Sequence, residues 1–293
     1  MNIDLVYQVP HIVRPGETIS SRSFQQHAGG KGLNQSVAIA RAGGLVYHAG
    51  KVGRDGQWLV KKTAATGVDT RFIRITKDVS GHAVIQLDQH GENAIFLYPG
   101  ANRKITRKEI DRVLQNFKAG DVLLLQNEIN DVAYLIRAAF ERKMLICLNP
   151  APMDKLVEKY PLRKVSMLIL NELEGALLSG RSKPALILDR LARQLPETEI
   201  VLTLGKKGAI ARLPGRRPIA ISALAVKPVD TTAAGDTFIG YYVAGRAAGK
   251  TPLECLRQAC SAAAICVTRH GAMESIPSLK EVRNQAAILK KVK

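Results

Sequence analysis

The run Asp230-Thr231-Thr232-Ala233-Ala234-Gly235-Asp236 sets small residues ahead of a helical pattern, Thr237 to Ala248, with a carboxylate at the junction. Ala233, Ala234 and Gly235 let backbone N–H groups converge where a helix begins. Unpaired N–H groups and the positive end of the helix dipole make such a start an anion site. A carboxylate beside an anion hole is electrostatically unfavourable unless it takes a proton from something. Asp236 therefore suits a base that deprotonates an alcohol while Ala233 to Asp236 hold a phosphoryl group. The competing interpretation is a strand–turn–helix junction capped by an Asp.

Other candidates lie at similar junctions. Gly29-Gly30-Lys31-Gly32-Leu33-Asn34 precedes a helical pattern, Gln35–Ala42, that stops at Gly43-Gly44. Its glycines permit close backbone approach, and Lys31 and Asn34 offer donors to hydroxyls. It is neither a Walker A loop nor a G-x-G-x-x-G dinucleotide fingerprint, so an exposed connector is the plain alternative. Asn2 and Asp4 are spaced i, i+2, so on an extended chain they face one side and can grip vicinal hydroxyls; a frayed polar terminus is the alternative. Asn171 and Glu174 follow the apolar run Ser166–Leu170, at the strand edge where open α/β sheets bind ligands, although Asn171 also fits an N-cap.

These residues need a scaffold, and the chain supplies an alternating one. Val46–Val52, Val122–Gln126, Leu145–Asn149, Ser166–Leu170 and Ile200–Leu204 predict strands, most of them buried on both faces. Helical patterns fall at Gln57–Thr66, Val132–Lys143, Glu172–Leu178 and Pro184–Leu195, and Thr106/Glu109 and Ser278/Glu281 have capping-box spacing. The fold class read from this is α/β: an open, mostly parallel sheet with helices on both faces. His82–Asp88 and Asn93–Leu97 alternate around His90-Gly91 as a hairpin, and with Leu5–Val9 and Ser21–Gln26 they can form a small separate sheet. We expect one domain over 1–293, with that sheet contributed by about 4–27 and 80–100.

The chain carries 43 Lys+Arg against 25 Asp+Glu, a net charge of +18. Such a field attracts phosphates and nucleic acid alike. The charges are scattered in pairs such as Lys61-Lys62 and Arg216-Arg217, and aromatics are 5%, so no specific nucleic-acid partner is expected. Cys147, Cys255, Cys260 and Cys266 lack C-x-x-C spacing and read as reduced, buried thiols of a cytoplasmic protein. No secretory signal and no apolar run of about 18 residues is present, so no membrane association is expected.

Asn2-Ile3-Asp4, Arg14-Pro15-Gly16-Glu17-Thr18, Gly29 to Gln35, Pro99-Gly100-Ala101-Asn102, Asn149-Pro150-Ala151-Pro152, Asn171-Glu172-Leu173-Glu174, Thr203-Leu204-Gly205 and the heptapeptide occur in this order. Jointly they make the chain resemble, nearly end to end, the ribokinase (pfkB-type) family of ATP-dependent sugar kinases. The resemblance implies a three-layer ribokinase-like fold whose small sheet is a lid over the sugar and a homodimer contact. It implies transfer of the ATP γ-phosphoryl to the 5-hydroxyl of D-ribose, with Asp236 as base and an anion hole at Ala233, Ala234, Gly235 and Asp236. Asn2, Asp4, Gly30, Lys31, Asn34, Glu128 and Asp236 would bind the sugar, and Asn171, Thr203, Gly205, Lys206, Gly208 and Gly235 the nucleotide. Glu174 would order Mg²⁺ through water. Asp230, Thr232, Cys266, Arg269, Gly271 and Ser275 align with positions that hold K⁺, largely through carbonyls. Alternatives that stay open are a kinase for 2-deoxyribose or a nucleoside such as pseudouridine, and a ribose-binding protein without turnover. The chain departs from the family twice. A central apolar strand usually precedes Asn-x-Asp and is expected to be absent upstream of Met1. Gln258-Ala259-Cys260-Ser261 stands where an Asn often lies near the adenine.

Overall fold

The computed structural model describes residues 1–291, with side chains through Gln285. The chain opens with β1 (Asn2–Gln8), β2 (Ser23–Gly29), α1 (Lys31–Arg41), β3 (Tyr47–Gly53), α2 (Gln57–Ala64) and β4 (Asp69–Thr76). There follow β5 (His82–Leu87), β6 (Asn93–Tyr98), α3 (Arg107–Leu114), β7 (Val122–Leu125), α4 (Val132–Glu141) and β8 (Leu145–Leu148). Then come β9 (Met167–Asn171), α5 (Glu172–Ser179), α6 (Pro184–Gln194), β10 (Glu199–Thr203), β11 (Ala209–Arg212) and β12 (Ile219–Ile221). Three helices close the chain: α7 (Ala234–Ala247), α8 (Pro252–Cys266) and α9 (Leu279–Lys291).

A six-stranded sheet runs β12-β11-β10-β9-β8-β7, parallel from β7 to β10 and antiparallel from β10 through β12. The strand runs are apolar throughout because both faces are covered. Ile146, Leu148, Leu168, Leu170, Ile200 and Leu202 point to one side and pack with Ile136 of α4 and Leu188 of α6. Cys147, Ile169 and Val201 alternate to the other and meet Phe238, Tyr242 and Ala262 of α7 and α8. Helix α7 has no polar face: from Asp236 to Gly245 it is wholly buried, so its first turn is held rigidly at the C-terminal edge of the strands.

Helix α1 crosses α7 at close range. A Cβ on Gly240 would lie 2.3 Å from the Ala38 Cβ and 2.8 Å from the Gln35 carbonyl, so only glycine allows this approach. The crossing brings Asn34 and Gln35 against the start of α7. The spacing predicts α1 from Gln35, but the helix begins at Lys31, because Gly30 turns the chain at φ 96° and serves as N-cap. Likewise α7 begins at Ala234, with Ala233 in the left-handed region at φ 58°.

A separate four-stranded sheet, β2-β1-β5-β6, carries Asn2 and Asp4 on β1. The β5–β6 hairpin turns through Gly91 at φ 82°. Strands β3 and β4 form a third, two-stranded parallel sheet. Among the described residues, β7 is thus paired on one side only, to β8, and β3 only to β4. The strands β4, β11 and β12 carry no clear period in the sequence: β4 mixes Arg71 and Arg74 among its apolar residues, and β12 is three residues long.

Candidate active site

Asp236 is 8% exposed at the start of α7, and both of its oxygens accept from amides on α1. Asn34 Nδ2 donates to Oδ2 at 3.0 Å and Gln35 Nε2 to Oδ1 at 2.9 Å. Burial raises the Asp236 carboxyl above its usual range, while Lys31 and the two amides pull it back. A buried carboxylate with a raised pKa and spare lone pairs is matched to accepting a proton. Gly235 is exposed, and a Cβ built there would meet nothing within 4 Å, so its backbone is open to an approaching anion.

The hydroxyl-binding candidates converge beside it. Asn2 and Asp4 sit two residues apart on β1, as the extended spacing requires. Asp4 packs so closely on Gly29 that a Cβ there would fall 2.0 Å from the carboxylate. Its pKa is pushed up to about 6, first by burial and then by Glu128, with the Met1 ammonium opposing. Glu128 accepts from the Gly32 backbone N–H at 3.3 Å and stands near enough to Asp236 to raise its pKa as well. Asn34 Oδ1 is buried without a protein partner, an acceptor for which a bound hydroxyl is the natural donor.

At the C-terminal end of β9, Asn171 caps α5 in a full capping box with Glu174. Glu174 is 9% exposed, accepts from the Asn171 backbone N–H at 3.0 Å and from Nδ2 at 2.9 Å, and has its pKa raised by burial. The cap and the site role are compatible, since a carboxylate has lone pairs beyond those two bonds. Thr203 lies opposite Asn171 in the β9–β10 register. Leu204 then enters a turn over Gly205–Lys207 with Gly205 at φ 53° and Gly208 at φ 108°. A Cβ on Gly208 would fall 1.9 Å from the Ile221 carbonyl, so this loop is built around glycine. The Lys206 and Lys207 side chains are exposed beside it.

The site thus sets a buried carboxylate at a helix start between Asn2, Asp4 and Glu128 and a glycine turn at the strand edge, and the chain as a whole is similar to known proteins. The pfkB family carbohydrate kinase profile matches residues 1–279. This chain belongs to that family. The ribokinase of Haemophilus influenzae is 33% identical over 290 residues, covering 96% of this chain and 94% of that protein. The structure of Arabidopsis thaliana ribokinase complexed with ribose and ATP superposes with a TM-score of 0.87 at 30% identity, over 97% of this chain and 95% of that one. Ribokinase from Cryptococcus neoformans in complex with ADP gives a TM-score of 0.82 at 37% identity, over 97% and 96%. The fold is therefore ribokinase-like, and the chain is an ATP-dependent carbohydrate kinase.

Within this pfkB framework a second loop cluster precedes and flanks the start of α7. Asp230 closes it, accepting from the Thr232 N–H and the Gly271 N–H, each at 2.9 Å. Cys266 Sγ lies 3.7 Å from the Thr232 carbonyl and 3.1 Å from Ser275 Oγ. All six residues aligned with K⁺ positions are thus drawn together: Arg269 joins through its backbone N–H, which donates to the Cys266 carbonyl at 3.1 Å, while its guanidinium turns to Glu281.

Sequence reasoning assigned no role to several residues that the structure brings into this site. Asn102 donates to Asn2 Oδ1 at 2.7 Å and to the Met1 carbonyl at 3.1 Å, fixing the start of β1. Gln35, Gln126 and Asn149 line the floor beneath Asp236. Their motif neighbours were visible, but pairs separated by 91 and 114 residues leave no periodic trace. A cleft of about 280 Å³ at the opposite end of the strands, lined by Val122, Cys147, Met167 and Arg246, contains none of the site residues.

Proposed function

We propose that this chain transfers the γ-phosphoryl group of ATP to the 5-hydroxyl of D-ribose, giving D-ribose 5-phosphate. The observation that carries the reading is Asp236, buried at the first turn of α7 and held through both oxygens by the helix that also presents Lys31. Asn2, Asp4, Gly30, Lys31, Asn34 and Glu128 orient the sugar. Asp236 takes the hydroxyl proton as the oxygen attacks. The N–H groups of the Ala233–Asp236 turn, with Lys31, stabilise charge on the transferring phosphoryl. Asn171, Thr203 and the Gly205–Gly208 turn receive the nucleotide. The lid strands shield the reacting centre from water that would otherwise accept the phosphoryl group.

Glu174 fits a water-mediated Mg²⁺ site: it is a single hard oxygen donor near the phosphate side, and Mg²⁺ retains several of its waters. When bound, that ion neutralises phosphate charge. The loop of Asp230, Thr232, Cys266, Arg269, Gly271 and Ser275 fits K⁺ through its carbonyl and hydroxyl oxygens. The buried, unpaired thiols accord with a cytoplasmic setting, and no described helix is long and apolar enough to cross a membrane.

The direct test is ADP formation by purified protein with ATP, Mg²⁺ and K⁺, comparing ribose, 2-deoxyribose and no sugar. Ribose-dependent turnover is expected, and turnover that is equal or faster with 2-deoxyribose would reassign the substrate. Ribose binding by calorimetry without any ADP would overturn the kinase reading.

The sugar site also has a pH signature. With its pKa at about 6, Asp4 is an anion above that pH and a neutral acid below it. Its capacity to accept two hydroxyls is lost as pH falls, so KM for ribose is expected to rise as pH drops through about 6. Asp4→Asn should give a raised KM that no longer changes over pH 5–8. The sign for folding is opposite: the folded pKa lies above the unfolded one, so the carboxyl's contribution to stability is lost as pH rises through about 6.

We also propose that the lid is the contact of a homodimer. Phe24 on β2 and Ile95, Phe96, Leu97 and Tyr98 on β6 are each at least half exposed. A cluster of this kind is unusual on a soluble surface without a partner. Sedimentation equilibrium should show a dimer that Phe96→Lys converts to monomer.

A further inference from the structure

We propose that Gln35 is a positioning residue for Asp236, fixing the orientation of the base and tying it to the phosphate-side residues Asn149 and Glu174. This rests on the reading of Asp236 as the base. Gln35 is wholly buried on α1, and every polar atom of its side chain is used. Its Nε2 donates to Asp236 Oδ1 at 2.9 Å and to Asn149 Oδ1 at 3.3 Å, while its Oε1 accepts from Gln126 Nε2 at 2.6 Å.

The direction of this chain is determined by its ends. Asn149 Nδ2 donates to the Ile169 backbone carbonyl at 3.1 Å, and a carbonyl can only accept. Asn149 Oδ1 therefore faces Gln35 and requires a donor there. Gln126 supplies a donor on the other side, so the Gln35 amide cannot turn over without creating mismatched contacts to Asp236, Asn149 and Gln126 alike. The same Asn149 amide reaches Glu174 Oε2 at 3.5 Å. One glutamine thus connects the proton acceptor to the carboxylate on the phosphate side through a single intervening amide.

Asn34, the other donor to Asp236, is not locked in this way, because its Oδ1 has no protein partner. Gln35 is the fixed point, and Asn34 remains free to answer a ligand. The charged groups around Asp236 are Lys31 from α1 and Glu128 after β7, with Glu174 on the phosphate side. Replacing the Gln35 amide removes none of these charges, although Asn149 loses the same donor and carries the change on to Glu174.

Gln35→Met keeps the length of the side chain and removes the donor. The anionic form of Asp236 then loses one hydrogen bond in a buried setting, and its titration midpoint should rise by on the order of one pH unit. The readout is the carbon-13 carboxyl resonance of Asp236, assigned with Asp236→Asn, in the whole protein. It does not depend on turnover, so failure of the kinase reading and failure of this inference are separable. In the kinase assay the acid limb of kcat, measured at saturating ribose where Asp4 has least weight, should move in the same direction, with kcat reduced and KM for ribose nearly unchanged. Gln126→Met, which frees the Gln35 amide without removing it, should give a smaller shift in the same direction, and it carries the test should Gln35→Met fail to fold. An Asp236 midpoint that is unchanged in the folded variant, or a loss expressed only in KM, overturns the proposal.

Discussion

Asp236→Asn is expected to lower kcat by about 10²–10⁴-fold, with a much smaller change in KM for ribose. The expectation rests on the loss of a proton acceptor rather than on disruption of the fold. The substituted side chain can point its carbonyl oxygen at Gln35, whose amide is locked by Gln126 and Asn149. Its new amide nitrogen then faces Asn34, which can turn over to present Oδ1, an atom with no other protein partner. The turned Asn34 amide carries its Nδ2 to the position Oδ1 held, where no protein acceptor lies, so one buried donor is left for water or substrate to satisfy, and the thermal midpoint should fall modestly with the fold retained. Single-turnover and steady-state kinetics with ribose, beside a melting curve, check both halves. Near-full turnover in a folded variant would remove Asp236 from the role of base.

The second large effect is at the other end of the same helix. Glu199, 6% exposed at the start of β10, accepts from Tyr242 Oη at 2.5 Å and from Arg246 Nη2 at 2.8 Å, with Arg246 Nε also in reach. These bonds attach the C-terminal half of α7 to the sheet whose far edge carries the Gly205–Gly208 turn. Glu199→Ala leaves a mostly buried guanidinium and a buried hydroxyl without their acceptor. The cost is expected to be about 3–5 kcal/mol, since removing one partner of a buried pair strands the other. Denaturant titration should show the midpoint falling with little change in slope. Glu199→Gln, which keeps an acceptor for Tyr242 but loses the charge opposite Arg246, should fall between the two. Arg246 Nη1 keeps its bond to the Lys250 carbonyl at 3.0 Å, so a loss below about 1 kcal/mol in Glu199→Ala would mean that this acceptor and water suffice for the guanidinium.

The two ends of α7 also show what a sequence discloses. The junction before α7 was legible because small residues followed by a carboxylate mark a helix start; the role proposed for Asp236 goes beyond that. The apolar strands β7 to β10 were legible because burial on both faces leaves only hydrophobic residues. The start of α1 at Lys31 was not legible, because Gly30 caps it by conformation and without a side chain, and a glycine run reads as loop. The Glu199–Tyr242–Arg246 cluster was equally hidden, since its members lie 43 and 47 residues apart and each looks ordinary in its own segment. The same holds for Gln35, Gln126 and Asn149. Local rules find groups that act through the backbone nearby, whereas long-range amide and carboxylate pairs emerge only when the fold brings them together.

The unpaired side of β7 has a colloidal consequence. Val122-Leu123-Leu124-Leu125 presents a row of backbone donors and acceptors with no charged side chain on the strand to deter a second molecule. What keeps copies apart is the net charge of +18 spread over the rest of the surface. That protection has a range of about 10 Å at 0.1 M salt and about 3 Å at 1 M. Light scattering is therefore expected to grow as sodium chloride is raised, the reverse of a protein that salts in, and a charged residue at Leu123 should abolish the growth. The positive field that draws phosphates toward this enzyme is at the same time what holds its solution together.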